Sequence, residues 1–286
     1  MTTTTLTDFV EKFFEQLQHD IANDRIVLPS LPDVIVKIRQ VVDDPNASIT
    51  DVAAAISKDT VISARLLKVS NSPLYQRGST PVADVSGAVS RLGVTLVQNL
   101  VTHLAIIQLM TAPTGALGEY IKLAFRHATE VAVLAYGLAA FYTKINPNQA
   151  LLAGLIHDIG YLPIYQKASK NAKLMENTQL LQSLALRLHT NVGTLILEKW
   201  NFSPEFVEVV WEHENIHDVS GKDIRLVDIL VVANIESHRN TQHPLGQTDY
   251  QRVPAYEKLG ILSTDKLWDQ DDMALLLERA RLVFSL

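Results

Sequence analysis

The 286-residue chain contains no cysteine. Disulfides, thiolate metal ligands and cysteine nucleophiles are therefore excluded. Glycine and proline are sparse, with 12 and 11 residues, and charged residues make up only 20% against 47% hydrophobic. That balance opposes disorder and supplies enough apolar surface for a sizeable core. No apolar run is long: the longest, Val131 to Phe141, is too short to span a bilayer. Met1 to Thr7 has neither a basic start nor an apolar segment, so it does not read as a secretory signal. The net charge of −6 opposes a broad nucleic-acid surface, and no helix shows a dense Lys/Arg face. The expectation is a cytoplasmic protein with neither a membrane nor a nucleic-acid partner.

What is present is helical periodicity. Phe9, Phe13, Phe14 and Leu17 fit one face of a first helix, and Leu28-Pro29-Ser30-Leu31-Pro32 breaks it. Pro32 suits the first turn of a second helix through Val34, Ile35, Ile38, Val41 and Val42. Ser48 with Asp51 has capping-box spacing, Asp59 starts another helix, and Asn71-Ser72-Pro73 ends it. Further helices are expected over Val85–Leu92, Val94–Met110, Glu119–Tyr142, Gln149–Asp158, Thr178–Trp200, Pro204–His213, Asp223–Arg239 and Thr264–Phe284, with a loop over Thr241–Pro254. Turn formers cluster at Thr111–Gly115, which sets a boundary between a group of helices at 1–115 and a second at 116–286. No stretch alternates as a strand would. The fold class expected is all-α.

The nine histidines differ in context. His19, His217, His238 and His243 lie in polar surroundings and read as surface side chains, and His103 reads as a core histidine within an apolar helix. His157-Asp158 is different, because it closes the apolar run Leu151–Ile156. Burying an imidazole beside a carboxylate costs several kcal/mol unless the two are paired or bound to a cation. A divalent metal (Fe, Mn, Zn, Mg or Ni) would satisfy both. Gly160 is expected to permit a tight turn after them. His127 lies upstream on its own helix; His189 and His213 lie on two later ones. Helices packed side by side can direct such residues into one core site.

This order resembles the HD superfamily of metal-dependent phosphohydrolases, with His127, His157 and Asp158 at its first ligand positions. The resemblance implies a final aspartate where Val231-Val232-Ala233-Asn234-Ile235 carries Asn234, and a histidine pair where the chain reads His213-Glu214. A neutral amide is the weaker ligand. The signature Gly-Tyr-Pro of one branch is absent; Gly160-Tyr161-Leu162-Pro163 follows instead. Leu28–Pro32, Ile56–Asp59, Leu66–Tyr75, Ala88–Gly93, Leu151–Gly160 and His189–Trp200 together resemble HDOD domains, the HD-related output domains, from about residue 27 to the C-terminus. Thr60 stands where that family commonly has proline. The resemblance implies an all-α bacterial signal-transduction module with an HD-like second half and a residual divalent-metal site, non-catalytic or weakly so. Its partner would be a signalling protein or a small phosphorylated ligand. The alternative is a working phosphohydrolase acting on a nucleotide or cyclic dinucleotide. Asn71-Ser72 and Arg91-Leu92-Gly93 read as helix ends rather than ligand contacts.

Overall fold

Side-chain caps start many of these helices where the sequence places Ser, Asp or Asn. The computed structural model describes residues 3–23, 37–38, 40–41, 44, 46–76, 80–110, 115–239, 241–264, 267–268 and 271–284. The Leu28–Pro32 breaker and most of the helix expected after it lie outside the described residues, as does the side chain of His103. Helix α1 spans Thr3–Ala22, and Val10, Phe13 and Leu17 form its buried stripe. Helix α2 (Ile49–Ile56) opens with the capping box: Ser48 Oγ accepts from Asp51 N, and Asp51 accepts from Ser48 N at 2.9 Å. Asp59 caps α3 (Thr60–Ser70) through Ile62 N. A short α4 (Pro73–Gln76) precedes α5 (Val85–Leu92), which ends on Gly93 at φ 78°. Only glycine adopts that conformation without strain. Helix α6 (Val94–Met110) completes this group.

Asn71 does more than end α3. Its Oδ1 accepts from Val82 N and its Nδ2 donates to Val82 O, both at 2.8 Å. Arg91 donates to the Ser70 and Thr80 carbonyls, which places its charge at the C-terminal end of α3. Both residues are thus structural ties between α3, the 80–82 segment and α5.

The longest helix, α7 (Gly115–Tyr142), packs along α8 (Pro147–Ile156). Gly154 permits this, because a Cβ there would lie 2.4 Å from Ala132 Cα. After a turn at residues 157–160 come α9 (Tyr161–Ala168) and α10 (Ala172–Glu176), neither of which the periodicity reveals. Pro163 stands within the first turn of α9, where its missing N–H breaks no hydrogen bond. Then follow α11 (Thr178–Lys199), α12 (Pro204–Glu212), α13 (Leu226–Ser237), α14 (Pro254–Lys258) and α15 (Asp271–Phe284). The 241–254 connection contains two 3₁₀ turns. No strand occurs among the described residues.

Helix α13 is buried on every side from Leu226 to Glu236, which marks it as the centre of the fold. It packs on α7, α8 and α12. Its buried acids are paired: Lys258 donates to Asp228 at 2.9 Å, and Glu236 accepts from Tyr256 Oη at 2.6 Å, from Trp268 Nε1 at 3.0 Å and from Arg239. These contacts fasten the C-terminal segment onto α13. Helix α6 packs on α8, α15 packs on α4 and α1 packs on α11.

Candidate metal centre

Four helices deliver the residues of one buried cluster. His127 comes from the middle of α7, His157 and Asp158 follow the end of α8, His189 comes from α11, and His213 caps α12. His157, Asp158, His189 and His213 are all buried. The close fit of α11 to the 157–160 turn depends on Gly160, whose added Cβ would stand 1.9 Å from the His189 carbonyl oxygen. Its φ of −65° is ordinary for any residue. Space, rather than the turn, requires glycine there.

The imidazoles are oriented by their own helices. His157 Nδ1 lies 2.7 Å from Gly154 O, His189 Nδ1 2.9 Å from Leu186 O, and His213 Nδ1 3.0 Å from Val210 O. A carbonyl only accepts, so the Nδ1 of His157, His189 and His213 carries a proton and the Nε2 of each faces the cluster. The Nε2 atoms converge. His127 Nε2 and His157 Nε2 are 3.3 Å apart, as are His189 Nε2 and His213 Nε2. His127 can donate from Nε2 to His157, whereas His189 and His213, both bonded to carbonyls through Nδ1, face each other with Nε2 lone pairs when neutral, and such lone pairs repel unless a cation lies between them.

Asp158 is shared by both pairs. Its Oδ2 is 3.6 Å from His127 Nε2 and 3.3 Å from His157 Nε2. Its Oδ1 is 3.5 Å from both His189 Nε2 and His213 Nε2. The carboxylate therefore heads two donor triads, His127–His157–Asp158 and Asp158–His189–His213. Glu214 Oε1 reaches to 3.8 Å from His189 Nε2. The buried Asn234 contributes an Oδ1 with no hydrogen-bond partner, and its side chain lines the same cavity as Asp158 and Glu214. A buried acceptor without a donor calls for a bound group. Imidazole nitrogen and carboxylate oxygen are a fitting donor set for a divalent transition metal.

The electrostatics agree. Burial lowers the pKa of His127 to about 3 and that of His189 to about 4, against the pull of Asp158. Burial alone would also disfavour charge on His157 and Asp158. Each overcomes it through the other: the carboxylate raises the His157 pKa, and His157, His213 and His189 hold Asp158 well below the usual carboxylate range. The buried anion at the centre calls for a positive charge beside it. Burial raises the Glu214 pKa.

His238 and His243 are not the surface residues expected. His238 stacks on His127 with ring centroids 4.5 Å apart, and His243 stacks on His238 at 3.8 Å. Both line the cavity, of about 240 Å³, that opens onto Asp158. Burial takes the His238 pKa down to about 4. Polar neighbours in sequence concealed this, because the approach to His127 is made through the fold. His19 and His217 are exposed, as expected. Three tyrosines also line the cavity. Tyr161 lies parallel to His189 at 4.6 Å, Tyr165 stacks on Tyr161, and Tyr120 stacks on Tyr165. No lysine or arginine lines the cavity among the described residues.

A helical bundle that aims histidines and a shared aspartate from four helices into its core belongs to the HD-like class of folds. Within that class the chain belongs to the HDOD family: the model of the HDOD domain matches residues 28–216. It is similar to a solved structure from Shewanella amazonensis SB2B named "Putative metal-dependent phosphohydrolase", at 26% identity and a TM-score of 0.85, covering 99% of this chain and 100% of that one. An HDOD domain protein with unknown function from Geobacter sulfurreducens shares the fold, at 22% identity and a TM-score of 0.65, covering 93% and 100%. An uncharacterized protein of Treponema pallidum (strain Nichols) is 22% identical over 241 residues. That match takes in 79% of this chain and 44% of the longer relative, so the chain spans less than half the length of this curated relative.

Proposed function

We propose that this chain is a regulatory signal-transduction module whose core binds a divalent cation and turns over phosphoesters weakly or not at all. The observation that carries the reading is the Asp158 carboxylate, set among four Nε2 atoms at 3.3–3.6 Å. His127, His157, Asp158, His189 and His213 would hold the ion, with Glu214 and Asn234 at its edge. Bound there, the ion would act as a Lewis acid toward a phosphate oxygen. The chain's own residues do less for catalysis. Asn234 offers no charge, and among the described residues no cationic side chain lines the cavity to receive a phosphate. Charge balance favours one ion, because Asp158 and Glu214 together neutralise one divalent cation. A partner signalling protein fits a module of this kind better than a metabolic substrate does.

One observation favours the alternative, a phosphohydrolase acting on a nucleotide or cyclic dinucleotide. The two triads sharing Asp158 could take two ions. The second would leave two positive charges that an anionic phosphoester could neutralise. Metal analysis of protein purified without chelators separates these readings. One equivalent of Fe, Mn, Zn or Ni, lost in His157→Ala, with no hydrolysis in a phosphoester screen, is the expected result. Asn234→Asp adds a carboxylate to the site and should tighten cation binding at least tenfold. No bound metal under any loading condition would refute the metal site, and rapid turnover would refute the regulatory reading.

A further inference from the structure

A second cavity, of about 450 Å³, lies between α6, the start of α8 and the start of α12. It is lined by five carboxamides, Gln98, Asn99, Asn146, Gln149 and Asn201, with hydroxyls from Thr95, Thr102 and Ser203. Phe202, half-buried, and Phe206, buried, supply its aromatic surface. No charged side chain lines it among the described residues.

Three of these amides are each pinned by one prong. Asn99 Nδ2 donates to Asn148 O at 3.0 Å, Asn146 Oδ1 accepts from Asn148 N at 2.9 Å, and Gln149 Nε2 donates to Glu205. Each keeps its other prong, so Asn99 Oδ1 and Gln149 Oε1 are acceptors and Asn146 Nδ2 is a donor, fixed in place and without a partner among the described residues. Asn201 adds an amide held at a left-handed φ of 54°. Side chains already ordered by other contacts lose little entropy when a ligand arrives.

We propose that this cavity binds an uncharged nucleobase-type ring, such as that of a free nucleoside. Carboxamides match the donor and acceptor edges of such a ring, and phenylalanine faces stack on it. The lack of a cationic side chain among the described lining residues argues against a phosphate, and the volume suits a small organic ligand. The cavity sits at the start of α8 and of α12, whereas His157, Asp158 and His213 sit at their ends. A ligand there touches none of the cluster residues, so its binding can be measured whether or not metal binds.

The test is calorimetric titration of the full chain with adenosine, guanosine, cytidine and uridine, and with glucose as a neutral polyol. At least one nucleoside should bind with a Kd below 1 mM, and glucose should not. Thr95→Trp, at an exposed lining position, should weaken binding at least tenfold while leaving the melting temperature unchanged, and Gln149→Ala should weaken binding at least tenfold in a protein that still folds. Binding that survives in a normally folded Thr95→Trp protein would place the ligand elsewhere and overturn the proposal. So would the absence of binding by every nucleoside, or binding of glucose instead.

Discussion

Replacing Gly160 with alanine separates two explanations of one residue. If glycine served the turn, alanine would be nearly neutral, because φ is −65° and alanine is the better helix former. The fold says otherwise. The new Cβ would lie 1.9 Å from His189 O, 2.7 Å from Gly193 N and 2.8 Å from His189 C, all backbone atoms that cannot rotate away. Ordinary contact begins at roughly 3.5 Å, so α11 must retreat by about 1.5 Å. Overpacking of this kind costs about 1–3 kcal/mol where side chains can yield, and the backbone clash places Gly160→Ala at the upper end, about 3 kcal/mol. Gly193→Ala is the comparison: its worst contact, 2.6 Å, is with the Val210 Cγ1 methyl, so its cost should be smaller. Urea denaturation gives both values from the shift in midpoint at constant slope. Because His189 rides on the displaced helix, cation affinity should fall with stability. A Gly160→Ala loss below about 1 kcal/mol would refute the packing argument.

The remaining expectations concern charge. His189 is fully buried, with a pKa of about 4 against 6.5 when unfolded. The unfolded chain therefore takes up the proton more readily, and the stability associated with His189 is complete above pH 6.5 and lost as pH falls toward 4, by roughly 3 kcal/mol at 1.36 kcal/mol per unit. His127 acts in the same direction, while the raised pKa of His157 acts in the opposite one. Denaturation of the metal-free protein at pH 7.0 and 4.5 should show lower stability in acid, less so in His189→Gln; stability that is independent of pH there would contradict the assignment. Glu236→Ala should cost about 3–5 kcal/mol, since Tyr256, Trp268 and Arg239 all lose their acceptor. Thermal denaturation measures this, and a change of less than 1 kcal/mol would show that the buried network is dispensable.

The sequence by itself determined the helical fold and much of its punctuation. Capping depends on residues within three or four positions, so Ser48 with Asp51, Asp59 before α3 and Gly93 after α5 were legible locally. His157-Asp158 was legible for a related reason: charge at the end of a strongly apolar helix is anomalous wherever that helix packs. The order of His127, His189 and His213 carried a family resemblance that the HDOD match supports. Other features needed the tertiary structure. Spacing along a chain gives a residue's place on its own helix, but not the rotation of one helix against another. Only the packed bundle could show that Asp158 stands between two histidine pairs, that His238 and His243 stack onto His127, and that Asn234 keeps an unpaired oxygen. Gly160 shows the same divide, since the atom that forbids a side chain there belongs to His189, 29 residues away in sequence.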